Sequence, residues 1–517
     1  MKKILLISAT ILSPLMGLAQ DNILPKLEKS IYALKMSPNG KWFGSMAGDA
    51  SIYDLESGKN VYYDGCFLGV GNAVADNGMA VGDSNDIAVI MYNQETIYPE
   101  SIIDKYWFCD INGITPDGTR ITGVINNLIR DGVSYVPFIA EVDADGNVSE
   151  PVILPYPKED FFGAAPQFCT GVWISEDGKT VVGQVQDWRG MYSYPIYYKE
   201  DSSGNWTYGE PSKSLFNPTG IELPRNPWLG EPQFPEPENF MSGLLKDAYL
   251  EAFELYSEGA GPYPVPEEYM SQAEYNKYAE AVDNYNKWFY SQEEYFKDYI
   301  KIYAEVLQTS PSFSSNDMAL HPSGDYFMIH GGVRDKDDNL IGKIYKFSTV
   351  SDEISELEAP GGEYYPYQIL PDNTLIITKG IQSVPSSYIL LPGSDKFLSM
   401  QEYFAQSHPE ISEWLDETVP GGTGVVCMSN DRSVVSGALV PDQLADYDYE
   451  FSDFYYSTYF IQLEPAGGVE SLLSASDNGV YKVYNLNGVK VLETKDASEI
   501  NSLQKGIYIV NGKKVAL

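Results

Sequence analysis

The stretch Cys169–Val185, CTGVWISEDGKTVVGQV, restates Cys109–Ile125, CDINGITPDGTRITGVI. Each reads as Cys, an apolar strand, Ser or Thr, an Asp-Gly turn, a second apolar strand and Gly. A lone hairpin is marginal in water, so a chain that writes the same hairpin repeatedly must stack its copies to bury a shared core. That requirement constrains the fold more than any bulk property of the chain.

Seven copies occur. They are ALKMSPNGKWFGSM from Ala33, GNAVADNGMAVGD from Gly71, INGITPDGTRITGV from Ile111 and GVWISEDGKTVVGQ from Gly171, then DMALHPSGDYFMIH from Asp317, YQILPDNTLIITK from Tyr367 and VVCMSNDRSVVSG from Val425. Asn-Gly, Asp-Gly and Ser-Gly supply the positive φ of a tight hairpin, whereas the last two copies carry Asp-Asn and Asp-Arg. A third apolar strand follows every copy, at Ala50, Ile87, Val136, Tyr194, Gly342, Ser386 and Tyr459. Fourth strands are expected at Lys59 and Glu353, and the sixth unit has the weakest fourth-strand signal. Antiparallel units of three or four strands, repeated in this way, predict an all-β, seven-bladed β-propeller over residues 31–463.

The segments MSPNGKW from Met36 and ITPDGTR from Ile114 resemble the hairpin of TolB-like propeller repeats. ISEDGKTVVG from Ile174, with its following Pro-hydrophobic strand, is similar to the HAF-type repeats of secreted bacterial proteins. The resemblance implies a fold and no particular activity.

Between the fourth and fifth copies the spacing swells. Residues 219–310 begin Pro-rich and then change to a helical period. Leu244, Leu245, Ala248, Tyr249, Ala252, Phe253 and Tyr256 make one stripe, and Ser271 and Ser291 open capping boxes of two further helices. An α-helical insertion of three helices is expected within the propeller. The tail, residues 468–517, resembles the C-terminal sorting domain of type IX secretion substrates of Bacteroidetes through VYNLNGVKV and INSLQKGIYIVNGKKV. That resemblance implies a small C-terminal β-sandwich; a plain β-cap on the propeller is the other reading.

Residues 1–19 carry a basic start, an apolar core and small residues before Gln20, the pattern of a secretory signal peptide. The expected location is extracellular or on the outer cell surface, with no membrane span, since no later stretch reaches about 18 apolar residues. Net charge is −39, which repels phosphate backbones and argues against nucleic acid as a partner. The acidity reads as solubility, with calcium or basic ligands as the alternative. Four Cys make no disulfide framework; Cys109 and Cys169, equivalent in two copies, are read as buried thiols or as one bridge. Three His without zinc spacing leave no metal site expected, and no cofactor; the carboxylates of DADGN at Asp143 and DKDDN at Asp335 read as solvated turns before calcium.

No G-x-S-x-G elbow, P-loop or H-E-x-x-H occurs. The rim opposite the Asp-Gly turns gathers the insertion and the long loops from Gln184 and Leu439, and such loops are where binding concentrates. There Trp188, Tyr192, Tyr447 and Tyr449 offer flat faces, and Asp187 and Asp446 offer acceptors. The expected function is a non-catalytic propeller, monomeric, binding a glycan or protein ligand on that rim. The alternative is a propeller glycoside hydrolase or polysaccharide lyase, which needs two convergent carboxylates.

Overall fold

In the computed structural model, residues 25–463 are described apart from 47, 130–131, 224–233, 258–261, 292, 335–339, 361–363, 380–384 and 444–455. Residues 481–485, 490–494, 507–510 and 513–516 are described as well. The leader, DKDDN at Asp335, and Asp446, Tyr447 and Tyr449 lie outside the described residues.

The turns explain why the hairpin is written so uniformly. In the fourth unit the Ser175 hydroxyl donates to Asp177 Oδ1 at 2.6 Å and accepts from Thr180 N at 2.9 Å. Thr115 bridges Asp117 and Arg120 N in the same way, as does Ser429 with Asp431 and Val434 N. One buried hydroxyl therefore ties the turn carboxylate to the returning strand. The residue after the Asp has positive φ, at Gly118 (76°) and Gly178 (69°), and also at Asn373 (70°) and Arg432 (59°). The two copies without Gly thus make the same turn. Arg432 keeps it despite its Cβ, and its guanidinium reaches Asp372 on the neighbouring turn at 3.3 Å. Replacing Ser175 with Ala is expected to cost about 1–3 kcal/mol, the loss of a buried hydroxyl with two partners. Urea midpoints measure it, and Ser175→Thr, which restores the arrangement at Thr115, should recover most of the loss.

Between residues 26 and 462 the described strands form five four-stranded sheets and one nine-stranded sheet, paired mainly as antiparallel hairpins. Four sheets run in chain order, within 33–63, 67–97, 312–357 and 364–399. The nine-stranded sheet spans 109–209 and holds two hairpin copies, joined by one parallel pair, Tyr135 with Phe168. The last sheet, Val425–Met428, Val434–Leu439 and Ser457–Gln462, takes its fourth strand from the N-terminal Lys26–Lys29. That strand lies before residue 31, the expected start of the propeller. It joins the two ends of the repeat region by backbone hydrogen bonds.

Consecutive hairpins are also stitched to one another around a closed circuit. Asn39 N donates to Asp76 Oδ1, Asp76 N to Pro116 O, Arg120 Nη1 to Gly178 O and Glu176 N to Pro322 O. The Tyr326 hydroxyl then donates to Asn373 Oδ1, Gln368 Nε2 to Met428 O, and Asn430 N to Pro38 O, back at the first turn. Sheets of three or four strands whose inner hairpins close on themselves make a β-propeller.

The insertion joins Trp206–Gly209, the outer strand of one unit, to Ser312–Leu320, the inner strand of the next. It therefore leaves the rim opposite the turns. Its helices are Gly243–Ser257, Gln272–Ser291 and Glu293–Thr309. Ser271 and Glu274 cap the second reciprocally, at 3.3 Å for Glu274 N to Ser271 Oγ and 2.9 Å for Ser271 N to Glu274 Oε2. Ser291 is the last residue of that helix, its hydroxyl donating to Trp288 O at 2.6 Å, and the third helix begins at Glu293. Two helices that the repeat pattern does not announce, Met400–Ser407 and Pro409–Thr418, follow the two-residue fourth strand of the sixth unit. They bury Met400, Phe404, Ile411 and Leu415 against Ile376, Val426 and Tyr459.

All four Cys are buried and none forms a disulfide, so Cys109 and Cys169 are not bridged. Cys109 Sγ accepts from Ala88 N at 3.1 Å. In the tail, Tyr481–Asn485, Lys490–Thr494, Ile507–Val510 and Lys513–Ala516 make one antiparallel sheet. Among the described residues no helix is long and apolar enough to cross a membrane.

Candidate functional site

Two regions carry side chains that are not wholly spent on holding the fold together. One is the mouth of the central channel on the turn side, and the other is the opposite rim.

The inner strands carry bulges, with the register slipping between Ala33 and Lys35, between Ile111 and Gly113, and between Pro366 and Gln368. A bulge puts one extra residue into a strand and re-aims its neighbours. Leu34, Asn112 and Tyr367 are those extra residues. On one side the channel is nearly shut: a Cβ on Gly71 would stand 2.0 Å from Val172 O. Asn72 fastens that wall, donating to Ile114 O and Ile174 O and accepting from Ile174 N. On the other side a cavity of ≈ 90 Å³ remains, bounded by Leu34, Lys35, Met36, Trp173, Tyr367 and Cys427 among others.

Among the described lining residues Lys35 is the one cation and Glu176 the one carboxylate. Lys35 Nζ donates to Val70 O and lies 5.5 Å from the Trp173 ring centroid and 6.0 Å from that of Tyr367. Burial pushes its ammonium down to about 8. Cys427, buried beside it, is pushed up to about 11 and is therefore a thiol at neutral pH. Glu176 Oε1 accepts from Asn430 Nδ2 at 2.6 Å. A hydrolase or lyase of the two-carboxylate kind finds one carboxylate in this lining, already bonded to Asn430.

On the opposite rim, Asp187 and Tyr192 are fully buried. Asp187 Oδ1 accepts from Met191 N and Tyr192 N, and Oδ2 from the Tyr303 hydroxyl of the third insertion helix. The Tyr192 hydroxyl donates to Pro311 O at 3.2 Å. Trp188 is half-buried, 6.0 Å from the Tyr299 ring, with the Arg189 guanidinium 5.7 Å from its own ring. These residues come together, as their spacing suggests, but they come together under the helix. Asp187 pins Tyr303, while Phe162 receives the same helix through its ring contact with Tyr303 and in turn packs edge-on against Tyr192. The sequence shows both stripes without showing that they face each other.

A different aromatic group stands open on this rim. Trp107, just before the inner strand Cys109–Ile114, is 72 % exposed. Its ring meets Phe108 and Tyr135 edge-on at 6.1 and 6.4 Å, and those two meet each other at 4.7 Å. Asn126 fixes the platform, accepting from Phe108 N at 3.2 Å through Oδ1 and donating its own N–H to Phe108 O. Leu128 and Ile129, in the loop after the second strand, are exposed on the same rim. The signal in the sequence was WFC at Trp107, two aromatics ahead of a motif Cys.

The turn carboxylate Asp143 is occupied internally, Oδ1 accepting from Asp145 N and Asn147 N and Oδ2 from Asn147 Nδ2, each at 2.9 Å. Among the described residues no group of three or more His, Cys, Asp or Glu is placed to hold a metal ion.

No protein-family model matches the chain, and no curated protein does. Solved structures match at low identity. A prolyl endopeptidase is similar over 90% of this chain and 54% of its own, with 10% identity and a TM-score of 0.37. This chain therefore spans about half the length of that enzyme. TolB from Acinetobacter baumannii is similar over 80% of this chain and 62% of its own, with 11% identity and a TM-score of 0.27. The β-propeller domain of the Trilobed protease from Pyrococcus furiosus is similar over 79% and 78%, with 10% identity and a TM-score of 0.30. Structures similar to this chain thus include peptidases as well as TolB, and the choice of function rests on the site.

Proposed function

We propose that the chain is an exported, non-catalytic binding propeller of seven blades that engages a glycan, or a protein in its place, on the rim opposite the Asp-Gly turns. The count follows from reading the nine-stranded sheet as two blades, since it holds two hairpin copies and its halves share a single parallel pair. Export rests on the leader pattern of residues 1–19, and the tail is read as a sorting-like β domain through its resemblance to the type IX family. The reading needs no cofactor and no second copy of the chain.

The observation that carries the function is Trp107. A ring this exposed costs apolar hydration unless something covers it, and its edge rests on Phe108 and Tyr135, with Asn126 fixing the Phe108 backbone. A preset flat face suits the C–H face of a sugar ring or an apolar side chain, and little ordering entropy remains to be lost on contact. Trp188, in contrast, serves the helix.

The test pairs the two tryptophans in a glycan-array screen of the mature protein, followed by titration of whichever glycan binds. Trp107→Ala should weaken binding about tenfold or more, the effect of removing a central aromatic anchor, with the unfolding midpoint unchanged. Trp188→Ala should lower stability by about 2 kcal/mol through lost packing and leave the affinity of the folded protein intact. Unchanged affinity in Trp107→Ala would remove the rim platform from the binding site.

A further inference from the structure

The cavity at the turn-side mouth holds two hydrogen-bond donors that the fold does not use. Lys35 spends one N–H of its ammonium on Val70 O. No carboxylate among the described residues pairs with it, in a chain of net charge −39. The indole Nε1–H of Trp173, in the same lining, is buried and has no hydrogen-bond partner among the described residues. An unmet buried donor is unfavourable, and a half-buried ammonium without a counter-ion is more so, so both are poised for an acceptor.

The neighbouring polar groups are satisfied. The Tyr367 hydroxyl donates to Leu34 O, and the Gln368 amide donates to Met428 O and accepts from Met428 N. The rest of the wall is largely apolar, including Met36, Ile174, Leu320 and Ile369. A volume of ≈ 90 Å³ admits a few heavy atoms and no sugar ring.

We propose that this cavity is a second binding site, separate from the rim, and that it takes a carboxylate carried on a short apolar stem. One oxygen faces the Lys35 ammonium, the other accepts from Trp173 Nε1–H, and the stem lies against Met36 and Leu320. A carboxylate fits because it brings two acceptor oxygens and one negative charge to two donors and one uncompensated cation. The lowered pKa of Lys35 agrees with this geometry: its half-buried ammonium has given up part of its water without gaining a counter-ion. Glu176, Cys427 and Tyr367 are the other titratable groups of the lining. The stem can belong to a free short-chain acid or to the C-terminus of a polypeptide, and the chemistry of the contact is the same.

The test is calorimetric titration of the mature full-length protein with butyrate and with butyramide. It is run at about 150 mM salt, where a Debye length of about 8 Å screens the acidic surface. Butyrate should saturate one site, with butyramide at least about tenfold weaker. Lys35→Met, which keeps the stem length and removes the charge, should lose about tenfold or more. Trp173→Phe, which keeps a ring over Lys35 and removes the N–H, should lose several-fold. An N-acetylated tripeptide ending in Ala, compared with its C-terminal amide, separates the sources. Free-acid peptide binding tighter than butyrate assigns the site to a polypeptide terminus, and the reverse assigns it to a small acid. Three results would overturn the proposal: no saturation by either acid to about 50 mM, equal affinity for butyramide, or wild-type affinity in folded Lys35→Met. Should Lys35→Met fail to fold, Trp173→Phe and the butyramide comparison decide it alone.

Discussion

Gly183→Ala should be among the most costly single-methyl changes in the propeller, about 3 kcal/mol or more. The Cβ it adds would stand 1.9 Å from Thr170 O, a backbone atom of the inner strand. A side chain in that position could rotate away; a carbonyl held in a sheet moves only if the strand moves. Overpacking in well-packed cores typically costs about 1–3 kcal/mol, and this contact has no rotamer to absorb it. Gly82 and Gly123 stand at the same place in their own hairpins, 1.8 and 1.9 Å from Phe67 O and Asp110 O. The three define a rule for the motif: the Gly near its end lets the inner strand cross closely over the second strand. Gly437 and Gly331 meet the rings of Tyr459 and Phe313 instead, at 2.1 and 2.4 Å, so Ala there should be milder. Urea unfolding of Gly183→Ala and Gly331→Ala checks the ranking. Equal losses would show that the strand shifts as readily as the ring.

Four of the hairpins share one physical device, a buried hydroxyl at Ser37, Thr115, Ser175 or Ser429 clasping the side chain of the turn residue two positions on, and it demands the same residues wherever it is used. Asn373 and Arg432 departed from the pattern without departing from the conformation, since αL is accessible to Asn and can be held for Arg by surrounding bonds. Lys26–Lys29 was not legible: four residues carry too little pattern, and their partner is at Ser457. The helices from Met400 did carry a signal, because Ser399 and Glu402 form the same capping box as Ser271 and Glu274.

The binding surfaces were harder to read. Asp187, Trp188 and Tyr192 have the composition of a ligand site, and only the docking of Tyr299 and Tyr303 reveals them as the seat of a helix. Lys35 was readable in retrospect, a lone cation inside the apolar inner strand ALKM. What the sequence cannot supply is that the circuit of inner hairpins brings Trp173 and Tyr367 to it.

The protein should be more stable near pH 5 than near pH 8, against the usual behaviour of carboxylates held in ion pairs. Burial raises Asp110 to about 7, with Asp83 adding repulsion, and burial raises Asp160 and Asp317 to about 6. Unfolded, each would titrate near its ordinary value of about 3.9. Between about pH 4 and 7 the folded chain therefore holds protons that the unfolded chain has released, and stability falls as pH rises through that window. The contribution is fully present below about pH 4 and gone above the folded values. For Asp110 alone the shift corresponds to an upper bound on the order of 4 kcal/mol. Its Oδ1 is buried without a hydrogen-bond partner, which is why the charged form is so poorly tolerated. Asp143, held low by Asn147, acts in the opposite sense, but only as pH drops below the ordinary carboxylate range. General repulsion in a chain of net charge −39 has the same sign as the Asp110 effect, so the variant Asp110→Asn is needed to separate them. It keeps the size and polarity of the side chain and cannot ionise. Urea midpoints at pH 5 and pH 8 should show Asp110→Asn more stable than the parent at pH 8 and nearly equal to it at pH 5. A variant that tracks the parent at both values would place the pH dependence on the acidic surface as a whole.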